Sequence, residues 1–374
     1  MLTLLHVIGG LNGLGGTPRK LLYLVKHLDA SQCREVFLCY QPSPLKAELE
    51  RHGAIVECLD GGSPAAIVRH AVRLARTQRA DAICTHFTRP LVTGYLAALA
   101  AGVPQIHNQH SSAEYIRGFG RTLTRIVLPR VRTVVCNSHH TLASLRREYA
   151  LPPERLIVLH DPVEARVPTV PREDFRRGMG MTGDALLIGH VGGMIPERDQ
   201  GTLIQAFARL RAEHPRARLV LIGDGPLRGE LESLADRLDL GSSVAFPGYS
   251  ENVGDYLHAM DIYVNPTLDE GFGIAVAEAM LARLPVALSN RGAHPELVRD
   301  GASGMLFEGG NGDSLAKVLD LLAREPSLRR RLGETAFARA SAMCHPKVYA
   351  EAYLDHARRA VATDRIPPCR SAAG

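Results

Sequence analysis

The stretch Ile262-Tyr-Val-Asn-Pro-Thr-Leu-Asp-Glu-Gly-Phe-Gly-Ile-Ala-Val-Ala-Glu278 predicts a strand, a turn and a helix in direct succession. The first three residues are apolar and strand-favouring, the turn holds two glycines, and the helix-favouring part continues to Ala282. Backbone N–H groups at a helix N-terminus attract an anion through their unused hydrogen bonds and the helix dipole. Because Gly271 and Gly273 leave these groups uncovered, the pattern predicts a parallel α/β unit with a diphosphate site.

Two glutamates frame this turn, Glu270 before the helix and Glu278 inside it. At about 1.5 Å rise per helical residue, their carboxylates can lie on the order of 10 Å apart. That separation suits the two ends of a sugar nucleotide: Glu278 can accept both hydroxyls of a ribose, and Glu270 can reach a hexose. For two glutamates at an arbitrary spacing, solvated side chains are the commoner explanation.

The flanking residues favour the functional explanation. The run from Asn265 to Met280, followed by Leu284-Pro-Val-Ala287, resembles the donor-site signature of retaining glycosyltransferases of family four, also called glycosyl transferases group 1. These enzymes have the GT-B fold. The resemblance implies a nucleoside-diphosphate sugar as co-substrate and no metal or other cofactor. It also implies that Phe272 belongs to the donor site together with Gly271 and Gly273.

The rest of the chain alternates strand-like apolar runs with helical patterns, which predicts α/β architecture with two Rossmann-like doubly wound domains facing across a cleft. The Pro- and Val-rich stretch Val163–Pro171 is the best linker candidate. The predicted strands are Leu2–Ile8, Glu35–Tyr40, Ile55–Leu59, Ala82–Thr85, Gln105–His107, Thr133–Asn137, Leu156–Leu159, Leu186–Val191, Arg218–Ile222, Val244–Phe246, Ile262–Asn265, Pro285–Ser289 and Met305–Phe307.

Domain boundaries follow from the linker and from the resemblance. Residues 1–165 are expected to form an acceptor-binding domain and residues 166–345 a nucleotide-sugar donor-binding domain. The last helical pattern, His345–Ala362, crosses back to the first domain in the family. Residues from about 346 to 366 are therefore assigned to the first domain.

The first Gly-rich turn, Gly9-Gly-Leu-Asn-Gly-Leu-Gly-Gly16, follows the first strand. A dinucleotide-binding turn looks much the same, but the G-x-G-x-x-G spacing is absent. The pair Gly15-Gly16 is similar to the family's first loop, which faces the donor diphosphate. Two positions later, where the family often has an acidic residue, this chain has Pro18.

The stretch Gly189-His-Val-Gly-Gly-Met-Ile-Pro-Glu-Arg198 resembles the first strand and loop of the family's donor domain. The family usually presents an Arg and, five residues later, a Lys to the diphosphate; here these positions hold Gly193 and Arg198. Either Arg198 and backbone amides suffice, or another cation supplies the missing charge. The candidates for that cation are Arg19, Lys20 and Arg291. The loop at Gly223 resembles the next donor-domain loop, and Phe246-Pro-Gly-Tyr249 resembles the stretch whose backbone contacts the nucleobase in relatives.

His110 follows a predicted strand of the first domain, at a position where the family often has a histidine facing the transferred sugar and acceptor. The alternative is an ordinary loop histidine. A zinc site made by His86, His107 and His110 is disfavoured because no cysteine or carboxylate completes a tetrahedron. No Asp-x-Asp metal motif occurs in the sequence.

Composition narrows the class of protein. A chain of 374 residues suits two domains, and its seven cysteines contain no Cys-x-x-Cys pair, which favours reduced thiols in a cytoplasm. The net charge of +5 is concentrated in the first half, most densely in seven arginines between Arg117 and Arg147. Arg117, Arg121 and Arg125 recur every four residues and so share one helix face. This basic patch suits an anionic membrane or acceptor, or is a solvated face.

The sequence therefore predicts a metal-independent, retaining transfer of a hexose from a nucleoside-diphosphate sugar to a hydroxyl acceptor by a cytoplasmic, peripherally attached protein that binds no nucleic acid. Glu270 and His110 are the expected catalytic residues. Two alternatives stay open, a non-hydrolysing nucleotide-sugar epimerase of the same fold and a catalytically inactive nucleotide-binding scaffold. The expected donor-binding residues are Gly15, Gly16, Arg198, Gly223, Glu270, Gly271, Phe272, Gly273 and Glu278.

Overall fold

The computed structural model describes residues 1–11, 16–116, 118–181, 183 and 185–362. The chain forms two compact units, the first made of Met1–Pro162 and Pro346–Gly374, the second of Val163–His345. Each unit has one parallel β-sheet with helices packed on it. Among the described helices, none combines the length and the apolar character needed to cross a membrane.

The sheet of the first unit has seven parallel strands in the order β3-β2-β1-β4-β5-β6-β7. Its strands are β1 Leu2–Ile8, β2 Cys33–Cys39, β3 Ile55–Cys58, β4 Ala82–His86, β5 Gln105–Gln109, β6 Thr133–Cys136 and β7 Leu156–Val158. Its helices are α1 Gly16–His27, α2 Lys46–Arg51, α3 Pro64–Thr77, α4 Thr88–Ala101, α5 Gly118–Val127 and α6 His139–Tyr149, with the C-terminal helix of the chain described below.

The sheet of the second unit has six parallel strands in the order β10-β9-β8-β11-β12-β13. Its strands are β8 Leu187–Val191, β9 Arg218–Ile222, β10 Val244–Gly248, β11 Ile262–Asn265, β12 Val286–Ser289 and β13 Met305–Phe307. Its helices are α7 Arg172–Gly178, α8 Gln200–Glu213, α9 Arg228–Arg237, α10 Val253–Ala259, α11 Ile274–Leu281, α12 His294–Leu297, α13 Gly312–Arg324 and α14 Pro326–Met343.

The predicted fold class is confirmed. In each unit the strand order reverses beside the first strand, since β1 lies between β2 and β4 and β8 lies between β9 and β11. This arrangement is the doubly wound topology, in which the loops after the two strands at the reversal diverge and leave a crevice. The observed strands lie within about two residues of those predicted, because most of them are buried on both faces and mainly apolar in sequence.

The C-terminal helix α15, Pro346–Ala362, packs on the first unit, as expected. Its side chains Tyr349 and Tyr353 are buried in the same core cluster as Leu21 of α1 and Phe37 of β2. The hydroxyl of Tyr353 accepts a hydrogen bond from Nδ2 of Asn108 at 3.3 Å. The helix therefore completes the core of the first unit, although it follows the whole second unit in sequence.

The stretch predicted as a linker is irregular, as expected, but it is fastened to the second unit. The N–H of Val163 donates to the carbonyl of Cys344, and the Val163 side chain lies in the unit's core. Farther along, Thr169 and Val170 donate backbone hydrogen bonds to the carboxylate of Asp255. Residues 163–170 therefore form a strap, and this strap brings Arg166 to the candidate site.

Candidate active site

The conserved geometry of doubly wound sheets places ligands where the strand order reverses, and in the second unit this point lies between β8 and β11. The loop after β8 contains Gly193 and Arg198, and the loop after β11 contains Glu270. The two loops are joined by a backbone hydrogen bond from Leu268 N–H to the carbonyl of Glu197, 2.9 Å long. The fold thus brings together two segments that are about seventy residues apart in sequence.

Arg198 and Glu270 form an ion pair at this point. Their side chains are 27% and 13% exposed, so the pair is only partly shielded from water. Nη1 of Arg198 also donates to Oγ1 of Thr267 at 3.3 Å, and that hydroxyl donates to Oδ1 of Asn265 at 2.6 Å. A guanidinium beside a carboxylate can exchange that carboxylate for a diphosphate, because one anion replaces another, and the released carboxylate can then accept hydrogen bonds from sugar hydroxyls.

The backbone of Glu270 is held by the loop after β12. The carbonyl of Glu270 accepts a hydrogen bond from Ala293 N–H at 2.9 Å. Gly292 lies so close that a Cβ there would be 2.4 Å from the Glu270 nitrogen, and its φ of +59° is in the left-handed region. A side chain at position 292 would therefore displace Glu270. The sequence prediction did not include Gly292, whose role becomes visible only in the tertiary contact.

The N-terminus of α11 follows directly. Gly271, Phe272 and Gly273 are buried, and Gly273 has a φ of +101°, which turns the chain into the helix. The Phe272 side chain is 2% exposed and packs in the core of the second unit. Phe272 was predicted as a donor-binding residue; its side chain faces the core, so only its backbone can serve a ligand.

Glu278 lies farther along α11 and is 4% exposed. Its Oε1 accepts a hydrogen bond from Nε of Arg166 at 2.7 Å, so the strap supplies a partner that the sequence did not reveal. Burial raises the pKa of the Glu278 carboxyl, and Arg166 opposes that shift. A ribose diol would thus meet a carboxylate whose position is already set by an arginine.

Gly223 and Gly193 have different structural roles. Gly223, at the end of β9, has a φ of +133°, and a Cβ there would lie 2.1 Å from the carbonyl oxygen of Gly192. Its place is therefore dictated by the close approach of two loops. Gly193 is exposed, its φ is outside the left-handed region, and a Cβ would meet only the Asp224 carbonyl at 3.7 Å. A larger side chain fits at position 193.

Two neutral histidines are buried behind these loops. Nδ1 of His190 is 2.9 Å from the Val264 carbonyl, and Nδ1 of His294 is 3.0 Å from Oγ of Ser289. Burial lowers the pKa of each imidazole to about 4. Both rings are therefore neutral at physiological pH, and they add no positive charge to the site.

In the first unit, His110 lies just after β5 and is partly buried. Its Nε2 is 3.1 Å from Nδ1 of His86, and the ring of Phe87 packs against it with centroids 5.0 Å apart. Phe87 itself has a φ of +68°, a strained conformation for a non-glycine residue at the end of β4. Gly16 begins α1, whereas Gly15 lies outside the described residues.

The three candidates for the missing cation, Arg19, Lys20 and Arg291, differ in burial and in the partners they contact. Lys20 is 1% exposed and forms an ion pair with Asp161 at 2.7 Å. Burial opposes the charge on Lys20, but Asp161 outweighs that effect and raises the pKa of the amine. Lys20 is therefore charged, but it is buried and Asp161 balances its charge. The prediction that Lys20 could supply charge to a diphosphate is wrong. Arg19 is partly buried, and Arg291 is exposed next to Gly292, which packs on Glu270.

Two family models match this chain: Glycosyltransferase Family 4 over residues 14–166, and Glycosyl transferases group 1 over residues 171–339. Among curated proteins, a D-inositol 3-phosphate glycosyltransferase of Streptomyces scabiei is 31% identical over 312 residues, which is 74% of this chain and 69% of that protein. The chain belongs to the glycosyl transferases group 1 family. It is a glycosyltransferase.

Other similarities of this glycosyltransferase agree. The putative glycosyltransferase EpsF of Bacillus subtilis is 28% identical over 304 residues, which cover 76% of this chain and 78% of EpsF. The structure of Anabaena Alr3699/HepE in complex with UDP and glucose superposes with a TM-score of 0.85 at 21% identity, covering 96% of this chain and 100% of that one. The sucrose-phosphate synthase of Thermosynechococcus elongatus has a TM-score of 0.81 at 20% identity, covering 96% and 100%. Both structures share the GT-B fold with this glycosyltransferase.

The basic patch of this glycosyltransferase lies on α5, with Arg117 outside the described residues. Arg121 and Arg125 do share one face, and both pair with Glu148 at 2.7 and 2.6 Å. The acidic partner thus lies one residue beyond the arginine-rich segment. Phe119 and Ile126 are 76% and 51% exposed. The surface is therefore apolar and basic, but one carboxylate offsets part of its charge.

Proposed function

We propose that this glycosyltransferase moves a hexose from a nucleoside-diphosphate sugar to a hydroxyl acceptor with retention of configuration and without a metal ion. The observation that carries the proposal is the Arg198–Glu270 pair at the reversal of the second sheet. The likeness to HepE, whose structure is in complex with UDP and glucose, supports a nucleoside-diphosphate hexose as donor.

The chemistry requires that the leaving diphosphate and a positively charged, oxocarbenium-like sugar both be stabilised. Arg198 would turn from Glu270 to the diphosphate, joined by the amides of Gly273 and the first turn of α11. Glu270, released from Arg198, would accept hydrogen bonds from hydroxyls of the transferred sugar. Since these groups supply positive charge and hydrogen-bond donors, the reaction has no step that needs a metal.

Glu278 would bind the ribose, with Arg166 holding its Oε1. His110 would orient the sugar and the acceptor hydroxyl. The leaving phosphate would take the acceptor proton, as is thought for the family, so no separate base is assigned. The acceptor is a glycan, a lipid-linked intermediate or a small natural product.

We infer a cytoplasmic protein whose α5 contacts an anionic membrane or a lipid-linked acceptor. The exposed Phe119 and Ile126 support this placement, because an amphipathic helix inserts apolar side chains between lipid headgroups. Arg121 and Arg125 would add attraction to anionic lipid. Their shared partner Glu148 makes that attraction weak and reversible.

One observation favours a second candidate, a nucleotide-binding scaffold without catalysis. Gly193 leaves the diphosphate site one cation short of the family pattern. Fluorimetric melting of the chain with a panel of nucleoside diphosphates identifies the base, and donor hydrolysis with and without acceptors then separates the candidates. Release of free sugar or transfer to an acceptor supports the glycosyltransferase reaction. Stabilisation by a nucleotide with no turnover of any donor would favour the non-catalytic scaffold.

A further inference from the structure

Four ionisable side chains of the first unit form an unbroken row that ends at His110. Oε2 of Glu35 lies 2.5 Å from Nε2 of His6, Nδ1 of His6 lies 3.0 Å from Nε2 of His86, and Nδ1 of His86 lies 3.1 Å from Nε2 of His110. We call Glu35, His6, His86 and His110 the histidine row. His6 and His86 are fully buried and Glu35 is 4% exposed.

The row is built by the sheet. Glu35, His6 and His86 lie on the neighbouring strands β2, β1 and β4, and His110 follows β5, the next strand. The rings of His6 and His86 stack with centroids 5.3 Å apart, and those of His86 and His110 with centroids 5.4 Å apart. Phe37 and Tyr353 pack on His6 and exclude water from this end of the row.

Proton counting fixes the tautomers. Each contact between two ring nitrogens holds one proton, since two lone pairs at 3 Å repel and two N–H groups clash. With Glu35 as the carboxylate and a single proton on His6, that proton lies on Nε2, 2.5 Å from Oε2 of Glu35, so Nδ1 of His6 accepts from Nε2 of His86. By the same rule, Nδ1 of His86 accepts from Nε2 of His110. Nδ1 of His110 is then left as a bare acceptor, and among the described residues it has no hydrogen-bond partner although it is buried.

We propose that the histidine row is a proton relay in which Glu35, His6 and His86 fix the tautomer of His110 and let its Nδ1 accept and return one proton. The proposal rests on the proposed function only in assigning a hydroxyl of the transferred sugar as the group that meets Nδ1, while the acceptor hydroxyl gives its proton to the leaving phosphate. Glu35, His6 and His86 are positioning residues, because they act through His110.

The transfer balances. When a proton reaches Nδ1 of His110, the proton on its Nε2 moves to Nδ1 of His86. The proton on Nε2 of His86 then moves to Nδ1 of His6, and the proton on Nε2 of His6 is shared with Glu35. Every nitrogen–nitrogen contact again holds one proton, and the added positive charge ends beside the Glu35 carboxylate. The reverse sequence returns the proton.

The surroundings keep the middle of the row neutral. Burial lowers the pKa of His86 well below its ordinary value, and the neighbouring histidines and Lys20 lower it further. Burial, Lys20 and His107 act on the pKa of His110 in the same direction. The other ionisable groups facing the row from packed elements are Lys20 of α1, Cys33 of β2, Cys84 of β4, His107 of β5, Asp161 after β7, and Tyr349 and Tyr353 of α15.

The direct test is nitrogen NMR of the histidine rings in the full-length chain labelled with ¹⁵N-histidine, with the His110 signals identified by their loss in His110→Asn. The relay predicts a protonated Nε2 and a bare Nδ1 in His110 at pH 7.5. In Glu35→Gln, which keeps the shape but loses the charge, both tautomers of His110 should be populated. A wild-type His110 protonated at Nδ1 would overturn the proposal, and this result needs no variant to fold.

His107→Gln is the matched control. His107 is buried on β5, but its ring nitrogens contact Thr85 and Gln109 instead of the row. It should leave the tautomer of His110 unchanged, and an equal change of tautomer in the His107 and Glu35 variants would also refute the relay. In donor hydrolysis, Glu35→Gln should move the acidic limb of the rate profile to lower pH by about one unit, because loss of the carboxylate weakens proton uptake. Absence of hydrolysis in the wild type would count against the proposed function, whereas the NMR result decides the relay separately.

Discussion

At the scale of single residues, Gly193 is the most informative departure from the family pattern. Gly193→Arg places a cation where the chain has room and where no left-handed backbone is required. We expect nucleoside diphosphate to bind about tenfold more tightly, because a hydrogen bond to a charged group contributes about 1.5–3 kcal/mol. Calorimetry measures the dissociation constant of the nucleoside diphosphate in both proteins. Gly178→Arg, at the exposed end of α7, adds the same charge before β8 and should change nothing; equal affinity in both variants would place the diphosphate elsewhere.

Glu278 supports a second residue-scale prediction. Glu278→Gln keeps the size of the side chain beside Arg166 but removes its charge, so the ribose loses a charged hydrogen-bond acceptor. We expect binding of the bare diphosphate to weaken at least about tenfold by calorimetry, with no loss of the folded state by circular dichroism. Glu334→Gln, which breaks an exposed pair with Arg283, is the control. An unchanged dissociation constant would remove Glu278 from the donor site.

The contacts between individual side chains were the hardest feature to predict from the sequence. Glu270, Arg198 and Glu278 could be singled out because they lie in local motifs. Arg166 could not, because it lies in an irregular strap whose sequence shows no periodicity, and its contact with Glu278 exists only in the folded unit. Lys20 was misjudged for the same reason: its position after a Gly-rich turn suggests a phosphate ligand, but Asp161, far along the chain, holds it inside.

At the scale of elements, α5 gives a prediction that separates membrane binding from a solvated face. Glu148→Gln frees Arg121 and Arg125 from their shared carboxylate and adds one net positive charge. In co-sedimentation at low salt, the variant should bind vesicles containing anionic lipid with about fivefold higher affinity, since one charge near the surface contributes about 1 kcal/mol. This binding should fade at high salt.

Glu213→Gln on α8 is the matched control for α5, because it removes an exposed acid of the other unit. Equal sedimentation of the two variants would refute attachment through α5. No sedimentation of any variant at low salt would favour a soluble acceptor.

Elements were predictable to the degree that burial imposes a pattern. Most strands stand out as short, mainly apolar runs, and Ser63 and Pro64 mark the observed start of α3. The helix α14 was not predicted. Its buried face is made of Leu332, Gly333, Ala336 and Ala340, and small residues give little hydrophobic contrast against the opposite face.

At the scale of the whole molecule, buried neutral histidines make stability depend on pH. Burial lowers the pKa of His107, His190 and His294 to about 4, whereas the unfolded chain has ordinary values near 6.5. The unfolded state therefore binds protons first, so stability is full above about pH 6.5 and falls as the pH drops towards 4. Each histidine costs roughly 3 kcal/mol by pH 4.

Urea unfolding at pH 7.5, 6 and 5 measures this dependence. The His190→Gln variant should lose less stability than the wild type on acidification, because it removes one of these buried histidines. His52→Gln, at an exposed position, should behave as the wild type. A free energy of unfolding that stays constant from pH 7.5 to 5 would contradict the burial argument.

The two-unit architecture could be predicted from the alternation of strands and helices, but the histidine row could not be predicted. Its members come from four strands or strand ends, and neighbours in the row are separated by as many as eighty residues, so no spacing in the sequence connects them. Only the strand order β2-β1-β4-β5 places them side by side. Chemistry that depends on sheet order is invisible until the topology is known.

The central claim is a retaining transfer that starts at Arg198 and Glu270. The most direct measurement is proton NMR of the sugar released early in the hydrolysis of UDP-α-glucose, or of the donor with the best-stabilising nucleotide. We predict that the α-anomer appears first and that Arg198→Ala slows its release at least about a hundredfold, as expected when a group that stabilises transition-state charge is lost. Early release of the β-anomer, or an Arg198→Ala variant that keeps most of its activity, would contradict this account.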